Sequence, residues 1–307
     1  MTEASPNGQL DSFFAQENGF PGADGIYSYA YQDGLLFYFG DTICRENGGF
    51  DLSHNSFLFT GKTLQNPLYS LKRGAFFSPD SDDGSFYWFQ DGLLEGDVLY
   101  VFALRVKNDP KAAFLLLGSD ILKIDVSSYP EPRLIKRIPL GKPSLLYGNA
   151  LIKEGSYYYV FCYTDTSPKR TILARTASLD EPSFSYLQED GSYAKEMGNP
   201  RVLSTLLGAE NKVYQCGGRY YLAYSPGGIS KEIRLTSFSS LEDLIPEGEL
   251  IYLCPEHQGE DICYNAKIQP ALSKGKNVIV SYNVNSTREA RVKETGLYRP
   301  HFLEVSL

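Results

Sequence analysis

One turn-plus-strand unit recurs five times along the 307 residues, and this repeat constrains the fold more than any other feature. The units are "DGLLFYFGDT", "EGDVLYVFALRV", "EGSYYYVFCYTDT", "GGRYYLAYSP" and "KGKNVIVSYNVN". Their turn glycines are Gly34, Gly96, Gly155, Gly218 and Gly275, at spacings of 62, 59, 63 and 57 residues. A period of this length holds about four short strands, which is typical of a propeller blade. We therefore predict an all-β chain in which residues 1–307 form a single five-bladed β-propeller domain.

A β-sandwich or a two-domain β protein is the alternative, because hairpins also recur in those folds, although with less even spacing. The 23 Tyr, 18 Phe, 28 Gly and 17 Pro residues are typical of strands and turns. Long stretches with helical apolar periodicity are hard to find. The even spacing favours the propeller.

The charge of the chain limits its partners. A formal net charge of -8 disfavours nucleic acid, since phosphate neutralisation needs clustered Lys and Arg. The longest apolar run, from Ala112 to Leu117, is too short to span a bilayer, so we expect no membrane partner.

Five cysteines without metal-ligand spacing indicate reduced thiols, no metal site and no cofactor. We expect a cytoplasmic protein as given, or a secreted one if a leader peptide was removed.

Residues 22–42, "GADGIYSYAYQDGLLFYFGDT", predict a hairpin with its turn at Asp33-Gly34. Asp24 precedes the first strand and Asp41 follows the second, so both carboxylates are expected at the same end of the hairpin. Each acid lies beside a residue typical of turns, so capping of a local turn is the simpler interpretation for either one alone.

The residues eight to ten positions before each marker glycine are predicted to begin the innermost strands, which line the central cavity. Sugar rings pack their C–H faces on aromatic rings, and their hydroxyls pair with carboxylates and amides. The predicted substrate-binding set therefore consists of flat aromatic and amide side chains near these strand starts, together with two residues from "SHNSF". This set is Tyr27, His54, Asn55, Trp88, Tyr147, Asn149, Tyr264 and Asn265.

Asp24, Asp41 and Glu210 are the predicted catalytic residues. Cleaving a glycosidic bond needs two carboxyl groups, one protonated and one ionised. Asp24 is predicted as base or nucleophile, Glu210 as general acid and Asp41 as the carboxylate that tunes them. The alternatives are a solvated loop carboxylate for Glu210 and ordinary packing between blades for Trp88.

Three segments resemble a known group of proteins: the 22–42 hairpin, "YNAKIQPALSKGKNVIVSYNVN" and the closing "LYRPHFLEVSL". They are similar to bacterial and fungal five-bladed propellers catalogued as domains of unknown function, one branch of which contains endo-acting D-arabinanases. More distantly, the layout resembles the arabinanase and fructosidase propellers, where a base Asp, a tuning Asp and an acid Glu come from separate blades. The resemblance implies that Asp24, Asp41 and Glu210 match those acids.

We therefore expect a glycoside hydrolase acting on a furanoside-containing or related glycan, with a carbohydrate as its partner. A non-catalytic propeller that binds a carbohydrate or a protein is one alternative, since fold alone does not establish activity. A glycoside phosphorylase is another, and it needs a cationic phosphate clamp, for which Arg73, Arg170 and Arg234 are the candidates.

Overall fold

The computed structural model describes residues 4–44, 51–141, 144–294 and 296–307. Its strands form five antiparallel blade sheets, one for each predicted repeat unit, arranged in a ring, together with one small two-stranded sheet. The predicted five-bladed propeller is confirmed. Each marker glycine lies where the first strand of a blade turns into the second, at or beside the start of that second strand.

The described chain starts with strand β1 (Ser5–Pro6), helix α1 (Gly8–Phe13) and the 3₁₀ turn Gln16–Asn18. Blade 1 consists of β2 (Tyr27–Tyr31), β3 (Gly34–Phe39), β6 (Ser56–Gly61) and β7 (Leu68–Ser70), with a small ribbon of β4 (Thr42–Cys44) and β5 (Asp51–Ser53) inserted between β3 and β6. Blade 2 consists of β8 (Phe86–Glu95), β9 (Val98–Asp109), β10 (Ala113–Asp125) and β11 (Arg133–Pro139).

Blade 3 consists of β12 (Leu146–Glu154), β13 (Tyr157–Tyr163), β14 (Thr171–Thr176), β15 (Ser185–Leu187) and β16 (Tyr193–Ala194), and β17 (Val202–Ser204) also pairs with β14. Blade 4 consists of β18 (Tyr214–Cys216), β19 (Arg219–Tyr224), β20 (Glu232–Phe238) and β21 (Glu249–Leu253).

Blade 5 closes the ring. It consists of β22 (Asp261–Ile268), β23 (Asn277–Ser286) and β24 (Arg299–Ser306), and β1 from the other end of the chain pairs with β24 as the fourth strand. The 3₁₀ turn Pro270–Leu272 and helix α2 (Glu289–Glu294) lie in its loops. The N-terminal segment supplies the outermost strand of the last blade. Backbone hydrogen bonds therefore join the two ends of the propeller.

The blade 1 hairpin differs by one residue from its predicted turn. Tyr31 pairs with Gly34, so the two turn residues are Gln32 and Asp33, and Gln32 adopts a left-handed φ of 51°. Gly34 is the first residue of β3, where a Cβ would lie 2.2 Å from the Thr60 carbonyl oxygen. Gly34 is therefore needed for the close approach of two strands rather than for the turn itself.

Three of the five innermost strands contain β-bulges at corresponding heights. The register of β8 shifts between Phe89 and Gly92, that of β12 between Tyr147 and Ala150, and that of β22 between Tyr264 and Lys267. Bulges redirect side chains out of the regular alternation. The bulges place polar residues among apolar ones near the axis. A regular inner strand would pack apolar side chains on its neighbours at these positions.

No helix in the described ranges is long and apolar enough to cross a membrane.

Candidate functional site

The end of blade 1 brings two acids together. The backbone N–H of Asp24 donates to the carbonyl oxygen of Asp41 at 3.0 Å, and the N–H of Gly40 donates to the carbonyl oxygen of Asp24 at 2.9 Å. These bonds continue the β2–β3 ladder beyond the strand ends. The structure therefore places Asp24 and Asp41 at the same end of the hairpin, as the sequence predicted.

Two glycines allow the acids to approach closely. A Cβ at Gly40 would lie 2.7 Å from Oδ1 of Asp24, and a Cβ at Gly25 would lie 3.4 Å from Oε2 of Glu210. Gly25 also has a left-handed φ of 59°. The carboxylate of Glu210, from blade 4, thus lies directly beside the backbone that carries Asp24.

Asp41 is held by two aromatic donors. Nε1 of Trp88 donates to Oδ1 of Asp41 at 2.9 Å, and Nδ1 of His54 lies 2.8 Å from the same oxygen. His54 stacks on the ring of Phe86 at a centroid distance of 3.6 Å. Both contacts end on Oδ1, and no side-chain hydrogen bond from the described residues ends on the second carboxylate oxygen.

Glu210 is paired with a buried cation. Nζ of Lys267 donates to Oε2 at 2.6 Å, and Nδ2 of Asn265 donates to Oε1 at 2.9 Å. The Lys267 side chain is 0% exposed, whereas that of Glu210 is 16% exposed. A buried ammonium needs an ionised partner, because burying an unpaired charge is costly. Lys267 and Glu210 therefore form a partly buried ion pair within the site.

Asp24 has a raised pKa. Burial of the carboxyl group and the negative charges of Asp41 and Glu210 raise its pKa from 3.8 to about 8, while hydrogen bonds from Tyr264 and Tyr298 oppose the shift. The Tyr264 hydroxyl donates to Oδ2 at 2.8 Å. At neutral pH the site therefore holds the protonated carboxyl group of Asp24 beside two further acids, Asp41 and Glu210.

Four of the predicted binding residues contact these acids: His54, Trp88, Tyr264 and Asn265. Tyr27 lies beneath them, 1% exposed, with Nζ of Lys267 4.0 Å from its ring centroid. It packs under the acids and supports Lys267.

The three other predicted binding residues lie elsewhere. Asn55 and Asn149 are fully buried, and their amides bond to backbone carbonyls of Phe77 and Gly208 respectively. Tyr147 bonds to the Tyr186 hydroxyl on the outer part of blade 3. These side chains stabilise loops and blade contacts, and none of them contacts the predicted acids.

Two further residues, Lys267 and Tyr298, contact the acids and are not among the predicted ones. Lys267 has a recognisable signal, since it is the single charged residue of the inner-strand segment "YNAKI", and charged side chains are seldom buried there without a partner. Tyr298 has none, because it precedes β24 rather than an inner strand. Its hydroxyl nevertheless donates to the carbonyl oxygen of Asp41 at 3.2 Å and bonds to Asp24.

Two further observations on the described residues concern metal and phosphate binding. No group of three or more His, Cys, Asp or Glu residues within it is arranged to hold a metal ion. Among the candidate phosphate-binding arginines, Arg73 pairs with Asp51 and Arg234 pairs with Glu232. These two guanidinium groups are engaged by carboxylates other than the three predicted acids.

The sequence matches one family profile over almost its whole length. Residues 7–306 match a family described as a domain of unknown function, DUF5005. No protein with a curated description matches the chain significantly.

Solved structures share the fold. A candidate hydrolase from Bacteroides ovatus superposes with a TM-score of 0.78 at 16% identity, covering 98% of this chain and 90% of that one. A family 43 β-xylosidase/α-arabinofuranosidase from a compost metagenome, solved with xylotriose, superposes with a TM-score of 0.57 at 12% identity, covering 99% of this chain and 94% of that one. The Bombyx mori family 32 β-fructofuranosidase superposes with a TM-score of 0.51 at 9% identity, covering 91% of this chain and 59% of that one. The resemblance to propeller glycoside hydrolases is thus confirmed as a likeness of fold.

Proposed function

Because the chain belongs to the DUF5005 family of domains of unknown function, we propose a function from the site itself: a glycoside hydrolase that cleaves a furanoside-containing or related glycan beside Asp24, Asp41 and Glu210. One observation carries the proposal, namely a carboxyl group with a pKa raised to about 8 next to two further acids. Glycosidic cleavage requires this combination of a proton donor and an ionised carboxylate. Structural neighbours solved with xylotriose, galactotriose and cellotriose support a carbohydrate ligand.

The charge distribution favours a different assignment of roles from the one the sequence suggested. Asp24 keeps its proton at neutral pH and is the better general acid, whereas Glu210 is paired at 2.6 Å with the buried ammonium of Lys267 and is the poorer one. We assign Asp24 as the donor to the glycosidic oxygen. Glu210 is then the carboxylate that raises the pKa of Asp24.

Asp41 is assigned to the anomeric carbon. Its Oδ1 is fixed by Trp88 and His54, so the carboxylate is held in one orientation, and we assign Oδ2 as the atom that acts on the substrate. It acts there directly as a nucleophile, or through a water molecule as a base. The positive charge that develops on the sugar ring in the transition state is stabilised by the two ionised carboxylates, Asp41 and Glu210.

Hydrolysis of a polysaccharide panel tests the proposal. Asp24→Asn should lower the release of reducing sugar from the substrate that the wild type cleaves, among arabinan, arabinoxylan, galactan and fructan, by roughly 10²- to 10⁴-fold. Asp33→Asn is the matched control, because this exposed residue lies at the opposite end of the same hairpin. It should retain full activity. A wild type that cleaves no member of the panel, or an active Asp24→Asn variant, would contradict the proposal and favour the binding propeller.

A further inference from the structure

Strands β9 and β10 extend beyond the inner strand of blade 2. Residues 107–109 pair with residues 113–115, past the point where Phe86 begins β8. At the tip, Oδ1 of Asp109 accepts the backbone N–H groups of Lys111 at 2.8 Å and Ala112 at 2.9 Å. This extension, residues 107–115, is called the rim hairpin below. Its side-chain cap makes it a defined element rather than a loose loop.

A β-bulge determines which way the rim hairpin points its side chains. The register of β10 shifts between Leu116 and Gly118, which leaves Leu117 as an extra residue opposite β9. Without it, Phe114 would project to the opposite face of the sheet, because side chains alternate with a period of two. With it, Phe114 and Leu116 lie on the face that carries Trp88.

The ring of Phe114 lies one contact away from the predicted acids. It is 41% exposed, and it meets the ring of Trp88 edge to face at a centroid distance of 4.7 Å. Trp88 in turn donates to Asp41. The neighbouring Leu115 is 44% exposed and projects to the other face. An exposed aromatic ring that adjoins a carboxylate site suits a sugar ring, whose C–H face covers the aromatic face while its hydroxyls stay in water.

We propose that Phe114 forms a second sugar-binding subsite, which holds a unit of an oligosaccharide next to the unit bound at Asp24 and Asp41. The choice of a sugar rests on the proposed function. Affinity should accordingly rise with chain length, since a monosaccharide at the acids does not reach the rim hairpin, whereas a trisaccharide does.

Trp88 provides a direct readout, because it is the only tryptophan of the chain. Its fluorescence is titrated with the mono-, di- and trisaccharides of 1,5-linked arabinofuranose and 1,4-linked xylose, in an Asp24→Asn background that blocks hydrolysis. Phe114→Leu should weaken the affinity for the trisaccharide by on the order of 10-fold, the loss of one aromatic contact. It should leave the affinity for the monosaccharide unchanged.

Two matched variants isolate the ring. Phe114→Tyr keeps the flat face, and Leu115→Ala removes a similar apolar surface from the other face of the hairpin, so both should bind the trisaccharide like the parent. The subsite is refuted if Leu115→Ala weakens binding as much as Phe114→Leu, if the monosaccharide loses equal affinity, or if no sugar changes the emission. A wild type that binds in this pattern but hydrolyses nothing would refute the proposed hydrolase and leave the subsite standing.

Discussion

Two acids near the propeller axis, Asp91 and Asp24, differ in how many hydrogen bonds the protein donates to their carboxyl groups. Asp91 is fully buried, and its carboxylate oxygens accept the Lys212 ammonium at 2.6 Å and the Leu151 N–H at 2.6 Å, with further bonds from Tyr29 and Gly92. Asp24 is half-buried and accepts only tyrosine hydroxyls among the described residues. A carboxylate whose lone pairs are used by the protein has none left for a ligand.

The charges around the two acids also differ in sign. Burial raises the pKa of both, but the positive charge of Lys212 opposes the shift at Asp91, whereas Asp41 and Glu210 reinforce it at Asp24. Burial alone therefore does not single out Asp24. Asp24, which we propose as the functional acid, differs from Asp91 in accepting fewer hydrogen bonds from the described residues and in having neighbours of like charge.

Lys212→Met should have the largest effect, and it falls on stability. The substitution leaves Asp91 buried without its cation, which typically costs about 3–5 kcal/mol. Unfolding in urea should show this loss, while the activity of the remaining folded protein stays near that of the wild type. Lys153→Met is the control, because Lys153 pairs with Glu95 at the surface and is 46% exposed. Such a pair contributes about 0–1 kcal/mol, and a similar loss in both variants would remove the distinction between structural and surface pairs.

Glu210→Gln should change the pH dependence of catalysis. Asp24 must be protonated to act as an acid, so kcat/KM of the wild type should fall as the pH rises through about 8. Removing the negative charge of Glu210, and leaving Lys267 without its anion, lowers the pKa of Asp24. The alkaline limb should therefore move to lower pH by on the order of one unit.

The Lys212→Met variant is the reference for this measurement. Its pH profile should keep the wild-type alkaline limb, because Lys212 pairs with Asp91 rather than with the acids of the site. If the alkaline limb of the kcat/KM profile stays at the same pH in Glu210→Gln as in the wild type, Glu210 does not set the pKa of Asp24.

The sequence predicts the blades and the three acids because both follow from local patterns. Turn glycines mark each blade, and the hairpin geometry brings Asp41 back to Asp24. The direction of individual side chains does not follow in this way. Asn149 and Asn265 occupy comparable bulges on inner strands, yet Asn149 bonds to a backbone carbonyl and Asn265 to Glu210. The two residues differ in their place within the bulge, because Asn149 is the second unpaired residue of its bulge whereas Asn265 is the first of its own. The sequence does not show at which residue a bulge begins, so it does not determine which of the two side chains faces the acids.

Asp24→Asn should stabilise the protein modestly at alkaline pH. Because the folded pKa of Asp24 is raised from 3.8 to about 8, its contribution to stability is fully present below about pH 4 and is lost as the pH rises towards 8. Asparagine does not titrate, so the stability of the variant does not lose this contribution between about pH 4 and pH 8. The advantage of the variant in Tm over the wild type should therefore grow between pH 5 and pH 8.5, to about 2 °C or more.

Asp33→Asn again serves as the control, since its carboxylate is exposed at the far end of the hairpin. The difference in Tm between this variant and the wild type should not change with pH. If Asp24→Asn instead loses Tm at pH 8.5, the ionised Asp24 is stabilised by its tyrosine hydrogen bonds more than it is destabilised by Asp41 and Glu210. Asp24 would then resemble Asp91, a satisfied carboxylate, and the proton donor of the site would have to be sought in another residue.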